Sequence, residues 1–200
     1  MQSNTNRYLS LSIIFVAIIA FVYVTYQAIL IVDHTQISTK EGIYTSYVTT
    51  TQQIQDKAQL LTKACDSKAC EIQSLLDYVT AIPYQTQTFQ RKTPQKTIQE
   101  NFGDCDDKSN LLISMLHALD IPAYFVLVPH HIFVIVPLAD RRFSNIKGLW
   151  VNSQKYYILE STAKDSRIGF DLHYALNEID TIIEPFSNQR LEIDSVSWKK

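Results

Sequence analysis

The hydrophobic pattern of this chain changes once, near residue 120, and this change constrains the fold more than any other feature. Before it, apolar residues recur at the spacing of amphipathic helices, in residues 54–64, 72–79 and 111–119. After it come short continuous runs of β-branched and aromatic residues, at 123–128, 132–136, 149–151 and 156–159. Such runs, bounded by prolines and polar turns, predict buried strands. The pattern therefore predicts an α+β domain, with helices before the sheet and a polar loop over residues 84–100.

The composition argues against a nucleic-acid partner. The formal net charge is -2, and no run of Lys or Arg is longer than two residues. A content of 46% hydrophobic and 19% charged residues is typical of a globular protein that carries one additional apolar segment.

That additional segment, residues 9–32, contains no charged residue. As a helix of about 24 residues rising about 1.5 Å each, it exceeds the roughly 30 Å hydrocarbon core of a bilayer. A cleaved secretory signal is the alternative, but the segment is long for a signal and no small-residue cleavage site follows it. We expect a transmembrane helix with residues 1–8 in the cytoplasm, because Arg7 precedes the span and acidic residues follow it.

The rest of the chain would then lie outside the cytoplasm, in the periplasm or facing the exterior. Residues 33–53 are rich in Thr and Gln and predict a helical stalk or linker, and residues 54–200 predict the folded domain. Cys65 and Cys70 can form a disulfide if the chain turns between two helices, which an oxidising compartment favours. Two reduced thiols are the alternative. In both cases Cys105 is left over.

Cys105 stands at a predicted helix start. Asp104 is a good N-cap, and Asp107 three residues later completes a pattern like a capping box. The free N–H groups and the dipole of a helix start favour a thiolate, whereas the carboxylates of Asp104, Asp106 and Asp107 oppose it. A cation is therefore required. Gly103, just before the helix, allows the backbone to bend and to approach a substrate.

Two adjacent histidines can supply this cation, and strand alternation sends them to opposite faces. We prefer His131, which opens the second predicted strand, and keep His130 as the alternative base. A cysteine–histidine pair usually needs a third group that orients the imidazole. If the second and fourth predicted strands pair antiparallel, Glu160 at the end of the fourth lies beside His131.

Three motifs, in this order, carry a family resemblance: GDCDDKSNLLISMLHALDIPAYFVLV, HIFVIV and YYILEST. They resemble the transglutaminase-like superfamily, in particular its bacterial cysteine peptidases, over about residues 70–165. The resemblance implies a papain-like α+β core in which the nucleophile helix packs on an antiparallel sheet. It implies that Cys105 attacks an acyl carbon, that His131 shuttles the proton and that Glu160 orients His131. Two positions depart from the pattern: Glu160 stands where aspartate is commoner, and Asp120 replaces the usual glycine of a turn.

The sequence does not decide which groups donate hydrogen bonds to the oxyanion. The backbone N–H of Cys105 is one candidate. Gln99 stands at the offset at which papain-type enzymes place a glutamine donor, and Tyr84 resembles a tyrosine common in the superfamily. Both are alternatively ordinary loop residues. Gly103 and Asp104 are the remaining candidates for substrate contact.

We predict no resident cofactor. Asp106 and Asp107 are better explained as stabilisers of the helix start than as metal ligands, although some bacterial relatives bind calcium near such acidic clusters. Zinc is disfavoured because Cys65 and Cys70 have no second pair of ligands nearby.

The sequence thus predicts a membrane-anchored thiol enzyme that acts on protein or peptide substrates. It would form an acyl-enzyme at Cys105 and pass the acyl group to water, as a peptidase or amidase, or to an amine. A non-catalytic binding module at the membrane surface is the rival from another class. A tether whose stalk pairs with membrane partners is a third hypothesis.

Overall fold

The computed structural model describes residues 2–31, 36–40, 42–86 and 92–200, and within its first helix the side chains of Tyr8 and residues 11–26. The chain divides into two units, Met1–Gln36 and Ile37–Lys200. The first unit contains helix α1 (Gln2–Ile31), whose described side chains are all exposed. Ser12 and Thr25 donate their hydroxyl protons to carbonyl oxygens one turn earlier in the helix. Their polar groups are therefore satisfied within α1.

No helix among the described residues is both long enough and apolar enough to cross a membrane. Of the predicted span 9–32, residues 9–10 and 27–31 lie outside the described side chains, and Val32 lies outside the described residues. The transmembrane helix stays a prediction.

The second unit has helices α2 (Gln52–Thr62), α3 (Lys68–Ala81), α4 (Pro94–Glu100) and α5 (Cys105–His117). A small hairpin precedes them, with strands β1 (Ile37–Thr39) and β2 (Gly42–Tyr44). The strands of the main sheet are β3 (Tyr124–Val128), β4 (His131–Pro137), β5 (Gly148–Val151), β6 (Gln154–Leu159), β7 (Thr181–Glu184), β8 (Gln189–Arg190) and β9 (Val196–Lys199). Their order in the sheet is β8-β7-β3-β4-β6-β5-β9, and all pairings are antiparallel. The predicted α+β class is confirmed.

Both faces of the sheet are buried, which explains why its central strands have continuous apolar runs rather than alternating ones. The helices cover one face, which presents Phe125, Leu127, Ile132, Val134, Val136, Tyr157, Leu159 and Ile183. The chain after β6, with Trp198, covers the other, which presents Val126, Val128, Phe133, Ile135, Leu149, Val151, Tyr156, Ile158 and Ile182. The sheet is therefore held in place from both sides.

The turns place the site residues. Asp120, where the family pattern has glycine, adopts a left-handed φ of 56°, which aspartate tolerates better than most residues. Pro129 and His130 form the turn between β3 and β4. The predicted antiparallel pairing of β4 with β6 is confirmed, with Val134 opposite Leu159. Because β5 lies on the outer side of β6, no strand separates β4 from β6.

The link between α2 and α3 contains a disulfide between Cys65 and Cys70, whose Cα atoms lie 5.4 Å apart. Ser67 caps α3 within this link, because its hydroxyl accepts the N–H of Cys70. The two helices are thus tied together at the point where the chain turns.

The predicted helical stalk over residues 33–53 is wrong from residue 37 onward, and the domain begins there rather than at residue 54. Ile37 and Tyr44 of the hairpin are buried in the helix-side core. The N–H groups of Tyr47 and Thr49 donate to Asn110 Oδ1 (2.7 Å) and Ser114 Oγ (3.1 Å) on α5. Residues 33–35 and 41 lie outside the described residues. The polar composition gave no sign that this segment belongs to the domain, because hydrogen bonds to α5 contribute much of what holds it there.

The predicted loop over residues 84–100 is wrong for Pro94–Glu100, which form α4. Thr93 caps this helix by accepting the N–H of Lys96, and Pro94 occupies its first turn. This Thr-Pro pair is a helix-start signal that the lack of periodicity in seven residues obscured.

Truncating Tyr44 tests whether the hairpin is part of the domain. Tyr44 is 8% exposed and its ring meets that of Phe125 edge to face, with centroids 5.5 Å apart. We expect Tyr44→Ala to lower the free energy of unfolding by about 3 kcal/mol, by loss of buried area and creation of a cavity. The control is Ile43→Ala, at a residue that is 57% exposed, for which denaturant unfolding should show a change under about 1 kcal/mol. Equal effects of the two variants would contradict this account.

Candidate active site

Cys105 is the first residue of α5 and a partly exposed free thiol. Asp104 Oδ1 accepts the N–H groups of Asp106 (3.0 Å) and Asp107 (3.1 Å), and Asp107 Oδ2 accepts the N–H of Asp104 (3.4 Å). This is the capping box that the sequence predicts. Two of the three acidic side chains around the sulfur are therefore occupied in starting the helix.

Gly103 is required for close packing rather than for backbone bending, and its φ is not positive. A Cβ atom there would lie 2.8 Å from Asp107 Cβ and 3.3 Å from Thr97 Cγ2. Its N–H donates to the carbonyl of Pro83, and its carbonyl accepts the N–H of Gln85. Gly103 thus joins the chain around residue 84 to the start of α5.

His131 is the first residue of β4 and lies between the other two members of the predicted triad. Its Nε2 is 2.7 Å from Glu160 Oε2, and the ring lies close enough to Cys105 for the negative charge of the sulfur to act on it. Because Nε2 is used by the carboxylate, Nδ1 is the ring nitrogen left for the sulfur. His130 is exposed in the turn with φ of 58°, and its ring is not the one that meets Glu160.

Glu160, directly after β6, is only 2% exposed, and both of its oxygens have partners. Oε2 meets His131, while Oε1 accepts the N–H of Thr162 at 2.8 Å and also the Thr162 hydroxyl. Burial alone would raise the pKa of Glu160, but these hydrogen bonds and the charge of His131 lower it overall. The carboxylate therefore stays ionised inside the domain.

The same contacts set the charge of His131. Burial disfavours the imidazolium, but hydrogen bonds to Cys105 and Glu160 and their negative charges outweigh it and raise the pKa of His131 to about 9. At neutral pH the ring is therefore a cation that faces the sulfur. This is the positive charge that the acidic surroundings of Cys105 require.

The backbone of Tyr84 pairs with that of Gly103, and its phenol lies near enough to Cys105 to be affected by the charge of the sulfur. Burial and the negative charges of Cys105 and Asp104 raise the pKa of the Tyr84 phenol, so at neutral pH it is a hydrogen-bond donor. Among the hydrogen bonds of the described residues, none uses the N–H of Cys105. Both groups can therefore serve a developing oxyanion. Gln99 is exposed on α4, and no described contact joins it to the site.

Two side chains at the site are absent from the sequence predictions. Thr162 holds Glu160 through an i, i+2 contact that a Thr two residues after a carboxylate could have suggested. Tyr174 stacks against the ring of His131, with centroids 6.4 Å apart and planes at 19°. It comes from a loop after β6 that has no periodic pattern, so no sequence signal places it there.

Lys108, one turn into α5, is also unforeseen, because lysines on helices are normally exposed. Its side chain is buried, and Nζ donates to the carbonyls of Ile82 (2.7 Å) and Thr80 (3.4 Å). Burial lowers the pKa of Lys108 to about 8, partly opposed by the charge of Glu160. Lys108 thus holds the chain just before Tyr84 against α5.

The described residues contain no group of three or more His, Cys, Asp or Glu side chains placed to hold a metal ion. Asp107 also accepts the N–H of Lys92 at 3.1 Å, and Asp106 accepts the amide of Asn110 at 2.9 Å. Calcium binding at this cluster remains the alternative to a role in starting the helix.

A known protein family matches part of this chain. Residues 55–133 match the core of the transglutaminase-like superfamily, so the resemblance inferred from the sequence is confirmed. The matched segment includes Cys105 and His131 and ends before Glu160. No curated protein matches the chain significantly.

Solved structures with similarity to this chain include two from bacteria. A candidate cysteine protease from Cytophaga hutchinsonii is 16% identical, with a TM-score of 0.47, over 74% of this chain and 48% of its own length. A candidate protease from Parabacteroides distasonis is 14% identical, with a TM-score of 0.44, over 70% of this chain and 27% of its own. The chain thus spans about half of the first protein and about a quarter of the second.

The charge of His131 predicts a pH-dependent contribution to stability. The pKa is about 9 in the folded chain against 6.5 for an ordinary histidine, so the folded state binds more protons between these values. The contribution is fully present below pH 6.5 and is lost as the pH rises through about 9. We expect the unfolding free energies of the parent and of His131→Gln to differ by up to about 3 kcal/mol more at pH 6 than at pH 10.

Denaturant unfolding at several pH values measures this difference. His173→Gln, at an exposed position, is the control for removing a histidine. A difference between the parent and His131→Gln that stays constant from pH 6 to pH 10 would show that His131 is not held as a cation.

Proposed function

We propose that this protein is a thiol hydrolase of the transglutaminase-like type, acting on peptide or amide bonds through Cys105, His131 and Glu160. The observation that carries the proposal is the His131 ring, which is 2.7 Å from the buried carboxylate of Glu160 and lies within the electrostatic influence of Cys105. A nucleophile, a base in contact with it and a group that orients the base are what acyl transfer requires.

The reaction follows from these positions. The Cys105 thiolate, paired with the His131 imidazolium, attacks the carbonyl carbon, and the N–H of Cys105 with the Tyr84 phenol donates to the oxyanion. The C–N bond then breaks, and His131 gives its proton to the departing amine, leaving a thioester on Cys105. His131, now neutral, takes a proton from water as the water attacks the thioester. The acid product leaves, and the thiolate–imidazolium pair is restored.

Transfer of the acyl group to an amine uses the same thioester, with an amine in place of water. Which acceptor reaches the carbonyl carbon of the thioester decides between the two outcomes. A non-catalytic binding module remains the rival hypothesis. The proximity of Cys105 and His131 argues against it, because binding alone does not require a thiol beside an imidazole.

The nucleophile and base are tested in the full chain with a mixture of synthetic peptides that covers every amino acid at each position, read by mass spectrometry. We expect Cys105→Ala and His131→Ala each to reduce hydrolysis at least about a thousandfold. Cys65→Ser with Cys70→Ser is the control for removing thiols away from the site. Full hydrolysis by Cys105→Ala, or no cleavage of any peptide by the parent chain, would contradict the proposal.

We also propose that the N-terminal segment anchors the enzyme to a membrane. The described side chains of α1 are apolar for the most part and exposed on all sides, a surface that water does not favour. The predicted span, residues 9–32, continues past residue 26, the last of these side chains. With residues 1–8 in the cytoplasm, the domain would act on the periplasmic or outer side, where the disulfide between Cys65 and Cys70 is stable.

Charges placed in α1 test the anchor. Each aspartate in the middle of a membrane helix costs roughly 3 kcal/mol, so Ile18→Asp with Ile19→Asp should release the full chain from the membrane fraction. The control is Leu60→Asp at an exposed position of α2, which should leave sedimentation with membranes unchanged. A parent chain that is recovered without detergent in the soluble fraction would contradict the anchor but not the hydrolase.

A further inference from the structure

A cavity of about 260 Å³ opens beside His131, between the N-terminal hairpin and the main sheet. We call it the hairpin pocket. Its lining residues are Thr39, Lys40, Gly42, Ile43, Tyr44, Asp106, Leu127, Val128, Pro129, His131, Ile132, Glu178 and Asp180. The hairpin that was predicted to be part of a stalk therefore forms one wall of a cavity at the active site.

The position of the pocket indicates which side of the cleaved bond it would bind. His131 lines it, and Asp106 of the lining directly follows Cys105 in the chain. Tyr84 and Gly103, which flank the sulfur on the side of the oxyanion donors, do not line it. In the proposed reaction the departing nitrogen must reach His131 to receive its proton. The residue that carries this nitrogen is therefore the one whose side chain meets the pocket.

The size and walls suit a single long side chain. A volume of about 260 Å³ is below the roughly 300–1,000 Å³ typical of sites for whole small ligands. The walls provided by Leu127, Val128, Pro129 and Ile132 are apolar and can cover a methylene stem.

The charged groups favour a cation at the end of that stem. The lining contains three carboxylates, Asp106, Glu178 and Asp180, and two cations, Lys40 and the His131 imidazolium, and the latter is paired with Glu160 outside the lining. Lys40 is paired with Asp180, through a backbone N–H at 2.9 Å and an ammonium at 3.9 Å. Glu178 Oε2 accepts the N–H of Ala175 at 2.6 Å, which fixes its carboxylate in place. The excess of negative charge lies in a cavity with apolar walls, where it is screened less than at an open surface.

We propose that the hairpin pocket binds the side chain of a lysine or arginine that directly follows the cleaved bond. This inference rests on the proposed hydrolase function and adds a substrate class to it. Three features of the pocket support this inference. It has the size of one side chain, it opens at the base that protonates the leaving group, and it has apolar walls with an excess of carboxylates.

The test uses peptides that differ only at the residue after the cleaved bond, with Lys, Arg, Met or Glu at that position. The sequence around the bond is taken from a peptide of the mixture that the parent chain cleaves. We expect kcat/KM to be at least about tenfold higher with Lys or Arg than with Met, and lowest with Glu. Equal rates for the Lys, Met and Glu peptides would overturn the pocket assignment but would not contradict the proposed hydrolase activity. If the parent chain cleaves no peptide of the mixture, both the proposed hydrolase activity and the pocket assignment are contradicted.

Charge reversal identifies the pocket as the source of the preference. Glu178→Lys should reduce the ratio of rates for Lys and Glu peptides at least about tenfold, with the rate for the Met peptide reporting that the site is intact. Glu178→Gln, which keeps an acceptor for the N–H of Ala175, should reduce the ratio less. The matched control is Asp171→Lys, an exposed carboxylate that does not line the pocket, for which the ratio should stay unchanged. An equal loss of preference in Asp171→Lys and Glu178→Lys would show a general charge effect and overturn the assignment.

Discussion

The hydrogen bond between His131 and the buried carboxylate of Glu160 is the interaction on which the rest of the site depends. A carboxylate that is 2% exposed must be paired, and Thr162 and His131 together satisfy both of its oxygens. The pairing keeps the imidazole charged and turned toward Cys105. Cys105, His131 and Glu160 each stand at the end of a regular element: the start of α5, the start of β4 and the residue after β6. The register of β4 and β6 brings His131 and Glu160 together, and the packing of α5 on β4 brings Cys105 near them.

The acidic sequence around Cys105 is explained by the start of α5. Negative charge beside a thiolate is unfavourable, so the aspartates need another reason to be there. Asp104 and Asp107 cap each other's backbone, and the buried Lys92 lies 4.0 Å from Asp107 Oδ2. Gly103 is small because Asp107 packs against it. The carboxylates thus fix the place of the sulfur, while His131 provides the opposing charge.

The elements that the sequence predicted well are those whose pattern is repeated within the element itself. The apolar face of α5 and the continuous runs of β3, β4 and β6 each follow from local hydrophobic burial. The proximity of His131 and Glu160 could be inferred because strand order and antiparallel pairing limit which strand ends meet. The hairpin at residues 37–44 and helix α4 were missed because they are short and polar, and they are held by contacts with distant residues such as Asn110 on α5. Lys108 and Tyr174 were missed for the same reason, since only the fold brings them to the site.

The proposed chemistry depends most directly on the charge of His131 at neutral pH. The ¹⁵N chemical shifts of its ring, followed by NMR in the full chain as the pH is raised, measure this charge. The account predicts that both ring nitrogens are protonated at pH 7 and that one proton is lost near pH 9. A ring that is already neutral at pH 7 would contradict it, because no cation would then face the sulfur of Cys105.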